Sequence, residues 1–117
     1  MTTYVDGFVV AVRTTDKETY RAFCQRMAAL FKEYGALDVV DCWGDDVPPG
    51  KLTSFPLAVK AEEGETVCFG WTSWPSREVR QVAWQQIESD PRMKDAGNPP
   101  FDGKRMIYGG FEMLSGG

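Results

Sequence analysis

Residues 4–12 read Tyr-Val-Asp-Gly-Phe-Val-Val-Ala-Val, and this stretch decides the fold. Its β-branched and aromatic residues predict a β-strand. Successive side chains of a strand point to opposite faces of a sheet. One face would carry Tyr4, Phe8, Val10 and Val12, and the other would carry Val5, Val9 and Ala11. A sheet built on this strand therefore needs apolar cover on both faces.

A helix is predicted after this strand. Thr15 is followed by Glu18 three residues later, which matches a capping box at a helix start. The next apolar residues recur at the i, i+3, i+4, i+7 spacing of an amphipathic helix. They are Tyr20, Phe23, Cys24, Met27, Leu30, Phe31 and Tyr34. Gly35 is expected to end the helix.

The rest of the chain predicts three more strands and a second helix. The strands are expected at residues 36–43, 66–74 and 104–111. The second helix is expected to begin at Ser76 and to end at Asp90, because Pro91 follows. Two loops are expected, a Pro/Gly/Asp loop at 92–103 and a long connector at 44–65 in which 55–61 forms a helical turn or an edge strand.

The order of elements is therefore β-α-β-β-α-β. Right-handed crossovers place both helices on one face of a four-stranded antiparallel sheet, which is the ferredoxin-like α+β fold. Residues 1–117 are expected to form a single domain.

Both faces of this sheet are apolar, yet only two helices are available to cover them. The uncovered face would exceed the apolar patches that soluble monomers usually expose. Packing of two sheets face to face in a homodimer would hide it. The alternative is that the long connector folds back over the second face.

Composition excludes several classes of function. The net charge is −4 and the basic residues are scattered, so neither nucleic acid nor an anionic membrane surface is an expected partner. The absence of histidine excludes a Ser-His-Asp triad and a histidine-bound zinc or haem. The three cysteines have no framework spacing, and the N-terminus has no signal-peptide pattern. A soluble protein with reduced thiols in the cytoplasm is expected.

Three runs of residues resemble the YbaA-like family of uncharacterised bacterial proteins. They are Tyr4-Val5-Asp6-Gly7-Phe8, Asp41-Cys42-Trp43-Gly44-Asp45-Asp46-Val47-Pro48 with Gly50-Lys51, and Phe101-Asp102-Gly103-Lys104-Arg105-Met106-Ile107-Tyr108-Gly109-Gly110-Phe111. The helix-opening Trp74-Pro75-Ser76 also fits. The resemblance implies the dimeric α/β-barrel superfamily, which includes small cofactor-free monooxygenases, haem-degrading enzymes and sensing modules.

Large aromatic residues are the candidates for a ligand pocket between the sheet and the helices. Trp43, Trp71, Trp74 and Tyr4 are predicted to contact a flat organic ligand, with Trp84 and Tyr108 as further candidates. The alternative is that these rings serve core and interface packing.

Asp6 lies within an otherwise apolar strand, where a carboxylate needs a partner. The first strand neighbours the fourth in the predicted order, so Arg105 or Lys104 is the expected partner. One interpretation makes Asp6 a general base near Tyr108, with Arg105 completing the catalytic set. The other is a structural ion pair between strands.

No metal site is predicted. Asp41, Asp45 and Asp46 could ligate Mg²⁺ or Ca²⁺, but they lack the full calcium-loop pattern, and capping of a turn is the simpler interpretation. No glycine pattern for a nucleotide or dinucleotide cofactor is present, so no cofactor is expected.

Two classes of function remain open. The first is a homodimer that binds a small organic molecule without catalysis. The second is a cofactor-independent monooxygenase or isomerase acting on an aromatic or carbonyl substrate, which needs only a dry aromatic pocket and an acid or base. An enclosed cavity with Asp6 or Tyr108 at its wall would favour the enzyme, and a filled core would favour the binding module.

Overall fold

The computed structural model describes residues 2–95 and 97–116. Four strands form one antiparallel sheet in the order β2-β3-β1-β4. The strands are β1 (Tyr4–Arg13), β2 (Asp38–Trp43), β3 (Glu65–Trp74) and β4 (Ile107–Glu112), and the helices are α1 (Lys17–Glu33), α2 (Phe55–Ala58), α3 (Arg77–Ser89) and α4 (Pro91–Asp95). The ferredoxin-like α+β prediction is confirmed, including the pairing of the first strand with the fourth.

The predicted capping box at the start of the first helix is wrong. Thr14–Asp16 form a short 3₁₀ turn, and α1 begins at Lys17 with no side-chain hydrogen bond at its cap. The Thr14 hydroxyl instead lies 2.7 Å from the Thr66 hydroxyl on β3, so the chain is fixed to the sheet at this point. Gly35 ends the helix as predicted, with φ at +110°.

The start of α3 agrees with the sequence, whereas the segment after it does not. The Ser76 hydroxyl accepts a hydrogen bond from the Val79 amide at 3.2 Å, which makes Ser76 the N-cap. Part of the expected 92–103 loop is the short helix α4. Asp90 ends α3 and also accepts a hydrogen bond from the Arg92 amide at 2.8 Å, so Pro91 occupies the first turn of a new helix.

The fourth strand begins at Ile107, three residues later than predicted. A turn occupies the preceding residues, where the Asp102 carbonyl accepts from the Arg105 amide at 3.1 Å. The Asp102 carboxylate also accepts from the Lys104 amide at 3.0 Å. These hydrogen bonds satisfy the backbone locally, so residues 104–106 do not join the sheet.

Helices α1 and α3 pack on one face of the sheet. Their main core cluster comprises Met27, Leu30, Trp74, Ala83 and Ile87. A second cluster on the same face comprises Val10, Val12, Tyr20 and Cys68.

The long connector covers one end of the opposite face. Val59, which follows α2, is fully buried against Val9, Ala11 and Val67. The prediction that this face has no cover within the chain is therefore wrong at that end. Phe69 and Ile107, the strand partners of Val9, remain 42% and 44% exposed, and Phe111 farther along β4 is 62% exposed. We call this exposed region, together with Val5 and Trp71, the open face.

No helix among the described residues combines the length and the apolar character needed to cross a membrane.

Candidate functional site

A cleft of about 520 Å³ lies between the helical layer and the sheet. Its walls come from all four strands, from α1, α3 and α4, and from the loop that precedes β4. Most of the lining is apolar: Phe8, Phe23, Met27, Phe31, Val39, Trp84, Met93, Phe101, Met106 and Tyr108. The polar or reactive lining residues are Asp6, Tyr20, Cys24, Asp41, Thr72, Arg80 and Glu88. Such a lining suits an apolar molecule with a few polar groups.

Asp6 on β1 is held at the cleft wall by three side chains. Arg80 on α3 donates to both carboxylate oxygens, from Nη2 to Oδ1 at 2.7 Å and from Nε to Oδ2 at 3.1 Å. The indole N–H groups of Trp74 and Trp84 donate to Oδ2 at 3.0 Å and 3.1 Å. This carboxylate is thus compensated by a charge and by neutral donors, as a largely buried carboxylate requires.

Both predicted partners of Asp6 are wrong, since neither Arg105 nor Lys104 pairs with it in the described part of the chain. Arg105 does not contact Asp6 but binds both Glu65 oxygens at 2.8 Å and also the Asp102 carboxylate. It donates as well to the Lys60 carbonyl at 3.0 Å. The prediction failed because it considered only the neighbouring strand, whereas Arg80 reaches Asp6 from the helix above it.

Arg105 acts on the cleft through the loop that contains it. Phe101 and Met106, which line the cleft, lie on either side of Arg105 in the chain. The ion pair with Glu65 is largely buried, with side chains 19% and 9% exposed. The hydrogen bonds of the guanidinium lower the pKa of Glu65 to about 2. Arg105 therefore anchors one wall of the cleft to the start of β3.

A second anchor fixes α4, which contributes Met93. Arg92 and the Tyr34 hydroxyl both donate to the Asp90 carboxylate, at 2.8 Å and 2.7 Å. The Arg92 guanidinium, followed by the Tyr34 hydroxyl, holds the pKa of Asp90 well below its usual range. Arg92 also pairs with Glu33 at the end of α1, so α4 is attached to both long helices.

Tyr20, Cys24 and Asp41 form a group of weakly acidic side chains at the other end of the cleft. Burial raises the pKa of the Cys24 thiol to about 11 and raises the pKa of the Tyr20 phenol well above its usual range. Burial also raises the pKa of Asp41, an effect that the Cys24 thiol beside it opposes. Asp41 itself is exposed to solvent.

The structure brings only part of the predicted set to the cleft. Asp6 and Tyr108 line it, and the Tyr108 side chain is 78% exposed at the rim. Tyr4 packs beneath Arg80, with the guanidinium carbon 5.4 Å from the ring centre. Trp74 is fully buried behind Asp6, so it supports the wall and does not line it.

Two of the predicted aromatic residues lie elsewhere. Trp71 belongs to the open face, where its ring centre is 5.8 Å from that of Phe69. Trp43 lines a smaller adjoining cleft of about 260 Å³, which shares Tyr20, Cys24, Val39 and Asp41 with the large one. Successive side chains of a strand point to opposite faces of the sheet, so Trp71 and Trp74 lie on opposite faces. The prediction had assigned both to one ligand pocket.

Residues 3–103 match the family described as Protein of unknown function (DUF1428). The chain belongs to this family. It is 60% identical over 112 residues to the Uncharacterized protein YbaA of Escherichia coli strain K12, covering 95% of this chain and 96% of that protein. The same values hold for the protein of that name in Shigella flexneri. The resemblance noted from the three sequence runs is confirmed.

Two solved structures share the fold of this DUF1428 chain. One is a dimeric ferredoxin-like protein from an uncultured marine organism, with a TM-score of 0.59, 9% identity and coverage of 97% of this chain and 98% of that one. The other, from Bacillus cereus, is described as a candidate antibiotic biosynthesis monooxygenase. It has a TM-score of 0.55, 11% identity and coverage of 100% and 98%. At such low identity the likeness concerns the fold.

Several cleft residues of the DUF1428 chain were not predicted from its sequence. Arg80 and Glu88 lie four residues before and after the predicted Trp84 on α3, and all three line one side of the cleft. That spacing is visible in the sequence and could have identified a helix face with mixed polar and aromatic character. Met93, Phe101 and Met106 lie in irregular or short segments, where periodicity gives no signal.

Within residues 2–95 and 97–116, no three cysteine, aspartate or glutamate side chains converge as ligands for a metal ion. Asp41 faces the clefts, whereas Asp45 and Asp46 are exposed beyond the end of β2.

Proposed function

We propose that this DUF1428 chain is a homodimeric protein of the cytoplasm that binds a small, largely apolar organic molecule in the cleft. The observation that carries the proposal is a space of about 520 Å³ surrounded by aromatic and thioether side chains. Pockets for small ligands typically measure about 300–1,000 Å³ and have mainly apolar linings.

Energetics supports the same proposal. Protein interiors are normally packed to near-crystalline density, and empty apolar space reduces the free energy of unfolding. Here the ion pairs of Asp6, Asp90 and Arg105 fix the elements that form the walls. A ligand that filled the space would recover the missing apolar contacts.

A thermal-shift screen of flat organic compounds tests binding, followed by calorimetry on two variants. A ligand at about 100 times its dissociation constant adds roughly 2.7 kcal/mol to the free energy of unfolding. Val39→Phe should fill the cleft and abolish binding. Val82→Phe is the matched control, since Val82 is 54% exposed on α3 and lies outside the cleft. Equal binding by both variants, or no hit in the screen, would contradict the proposal.

The homodimer is proposed from the open face. Phe69, Ile107 and Phe111 expose large apolar side chains on the part of this sheet face that the connector does not cover. Contact between two copies of this region would remove them from water. The dimeric ferredoxin-like protein from the marine organism has the same fold, which is consistent with this arrangement.

Sedimentation equilibrium tests the assembly at micromolar concentration. Phe111→Asp should yield a monomer, because a charge would lie within the buried contact. Tyr108→Asp is the matched control, since Tyr108 lies on the same strand and points to the helical side. A monomeric wild-type protein would refute this part of the proposal.

The cytoplasmic location rests on the cysteines. Cys24, Cys42 and Cys68 are all free thiols, which is typical of proteins in a reducing compartment.

A cofactor-independent monooxygenase or isomerase is the second candidate. The observation that favours it is the presence of Asp6 and Tyr108 at the wall of one cleft. However, the lone pairs of Asp6 are directed to Arg80, Trp74 and Trp84, so a donor must leave before Asp6 accepts a proton. Binding without catalysis is therefore the first proposal. If turnover of any aromatic ketone is found and Asp6→Asn does not reduce it, Asp6 has no part in the chemistry.

A further inference from the structure

Thr72 is a buried polar residue in the cleft whose hydroxyl has no hydrogen-bonding partner among the described residues. It is 5% exposed and lines the cleft from β3, directly opposite Asp6 on β1. No side-chain or backbone group in the described part of the chain forms a hydrogen bond with its hydroxyl. All fully enclosed side-chain nitrogen and oxygen atoms of the described residues do have partners. The Thr72 hydroxyl must therefore reach the open space of the cleft, where it is available to a ligand.

Arg80 offers a second donor beside Thr72. Its Nε and Nη2 atoms bind Asp6, whereas Nη1 has no hydrogen bond to another residue in the described ranges. Asp6 and Thr72 are directly paired across two neighbouring strands, and such pairs on one face bring their side chains within about 5.5 Å at Cβ. The guanidinium binds the carboxylate of the strand partner of Thr72, and both Arg80 and Thr72 line the same cleft.

Charges around the cleft restrict what these donors can hold. Asp6 neutralises Arg80, and the remaining lining carboxylates, Asp41 and Glu88, have no arginine or lysine within ion-pair distance in residues 2–95 and 97–116. A carboxylate or phosphate on a ligand would be repelled by this excess of negative charge. A neutral oxygen with free lone pairs would be accepted without such a cost.

We propose that Thr72 and Arg80 together hold a neutral acceptor oxygen, a carbonyl or a phenol, on an aromatic ligand whose rings lie among Phe8, Phe31, Trp84 and Tyr108. This inference rests on the proposed binding function and specifies its ligand class. The hydroxyl and the guanidinium fix the oxygen end of the ligand, and the apolar walls hold its rings.

Four naphthalenes of similar shape test the inference by equilibrium dialysis. Acetonaphthone carries a neutral carbonyl, isopropylnaphthalene lacks the oxygen, naphthoate is an anion and naphthylmethylammonium is a cation. A single hydrogen bond contributes enough to change affinity by about three- to tenfold. Acetonaphthone is expected to bind at least that much more tightly than isopropylnaphthalene, and naphthoate is expected to bind more weakly than both.

Variants of Thr72 connect this preference to the hydroxyl. Thr72→Val keeps the shape of the side chain and should remove the advantage of acetonaphthone while leaving the affinity for isopropylnaphthalene unchanged. Thr72→Ser restores a hydroxyl and should restore the preference, which also guards against a general folding defect. Thr66→Val is the matched control, because Thr66 lies on the same strand outside the cleft and should leave all four affinities unaltered.

The outcomes separate this inference from the proposed function. If no naphthalene binds, the proposed binding function fails together with the inference. If all four bind equally, or if Thr72→Val keeps the preference for acetonaphthone, the cleft binds ligands but Thr72 does not select them. Tightest binding of the ammonium compound would overturn the inference as well, since Asp41 and Glu88 would then determine the ligand class.

Discussion

Arg80 meets Asp6 through two atoms of its guanidinium, with Nη2 2.7 Å from Oδ1 and Nε 3.1 Å from Oδ2. This pairing connects α3 to β1 across the helical face of the sheet. It also fixes the two tryptophan N–H groups that share Asp6, so one carboxylate orders a large part of the cleft wall.

The first prediction concerns the stability of this wall. Asp6→Asn should lower the free energy of unfolding by about 2–3 kcal/mol. The substitution leaves Arg80 without a counter-ion, and it places the NH₂ group of the new side chain against the N–H donors that bind Asp6. The loss should be smaller than for a fully buried pair, because the Arg80 side chain is 25% exposed. Urea unfolding followed by circular dichroism measures it.

Glu18→Gln provides the control for that measurement. Glu18 pairs with Arg21 on the surface of α1, with side chains 76% and 56% exposed, and should change the free energy by less than about 0.5 kcal/mol. Equal effects of the two substitutions would mean that Asp6 is not an organising residue.

The second prediction concerns pH and the pair of Glu65 with Arg105. The pKa of Glu65 is about 2, below its ordinary value of 4.5, so its stabilising contribution is complete above 4.5 and is lost as the pH falls toward 2. The loss should reach up to about 3 kcal/mol. Urea unfolding at successive pH values measures this loss. As the pH falls, the free energy of unfolding should decrease more steeply for the wild type than for Glu65→Gln. If the free energy of unfolding depends on pH in the same way in both proteins, protonation of Glu65 does not affect stability.

The third prediction concerns the loop that Arg105 anchors. Arg105→Ala should remove its bonds to Glu65, Asp102 and the Lys60 carbonyl. Hydrogen exchange in residues 97–106 should become faster while exchange in β1 and β3 stays slow, because the loop would open locally. Lys104→Ala is the control, since Lys104 is exposed and only its backbone amide binds Asp102. If hydrogen exchange in residues 97–106 is unchanged in the Arg105 variant, Arg105 does not anchor the loop.

The fourth prediction concerns the close contact between Gly70 and Phe8. A Cβ atom at position 70 would lie 2.5 Å from the Phe8 ring and 2.8 Å from the Val40 carbonyl. Gly70→Ala should therefore displace Phe8 into the cleft, reduce ligand affinity and lower the free energy of unfolding by about 1–3 kcal/mol. Gly103→Ala should change neither quantity, because nothing lies within 4 Å of that site. Wild-type affinity in the Gly70 variant would contradict the assigned cleft wall.

The fold could be predicted from local patterns, whereas the cleft could not. The β-branched and aromatic residues at 4–12 and the apolar stripe of α1 are local features of the sequence, and they predicted the strand and the helix correctly. The partner of Asp6 depends on where Arg80 projects after α3 has packed on the sheet. Sequence spacing alone contains no information about that distance of 74 residues.

The remaining differences arise where one residue has two roles. Asp90 ends α3 and also caps α4, so a helix-stop signal was also a helix-start signal. The connector with Val59 combines a loop composition with a buried apolar residue. These double roles depend on tertiary contacts that a periodicity argument does not include.

Binding of the proposed ligand should make the occupied and empty forms of this protein optically distinguishable through Trp84. Its indole lines the cleft while its N–H is tethered to Asp6 at 3.1 Å, so the ring cannot turn away from an arriving molecule. Trp74 is sealed from solvent and should emit with constant intensity. Changes in emission from the cleft would therefore report ligand entry directly, without a dye or a label.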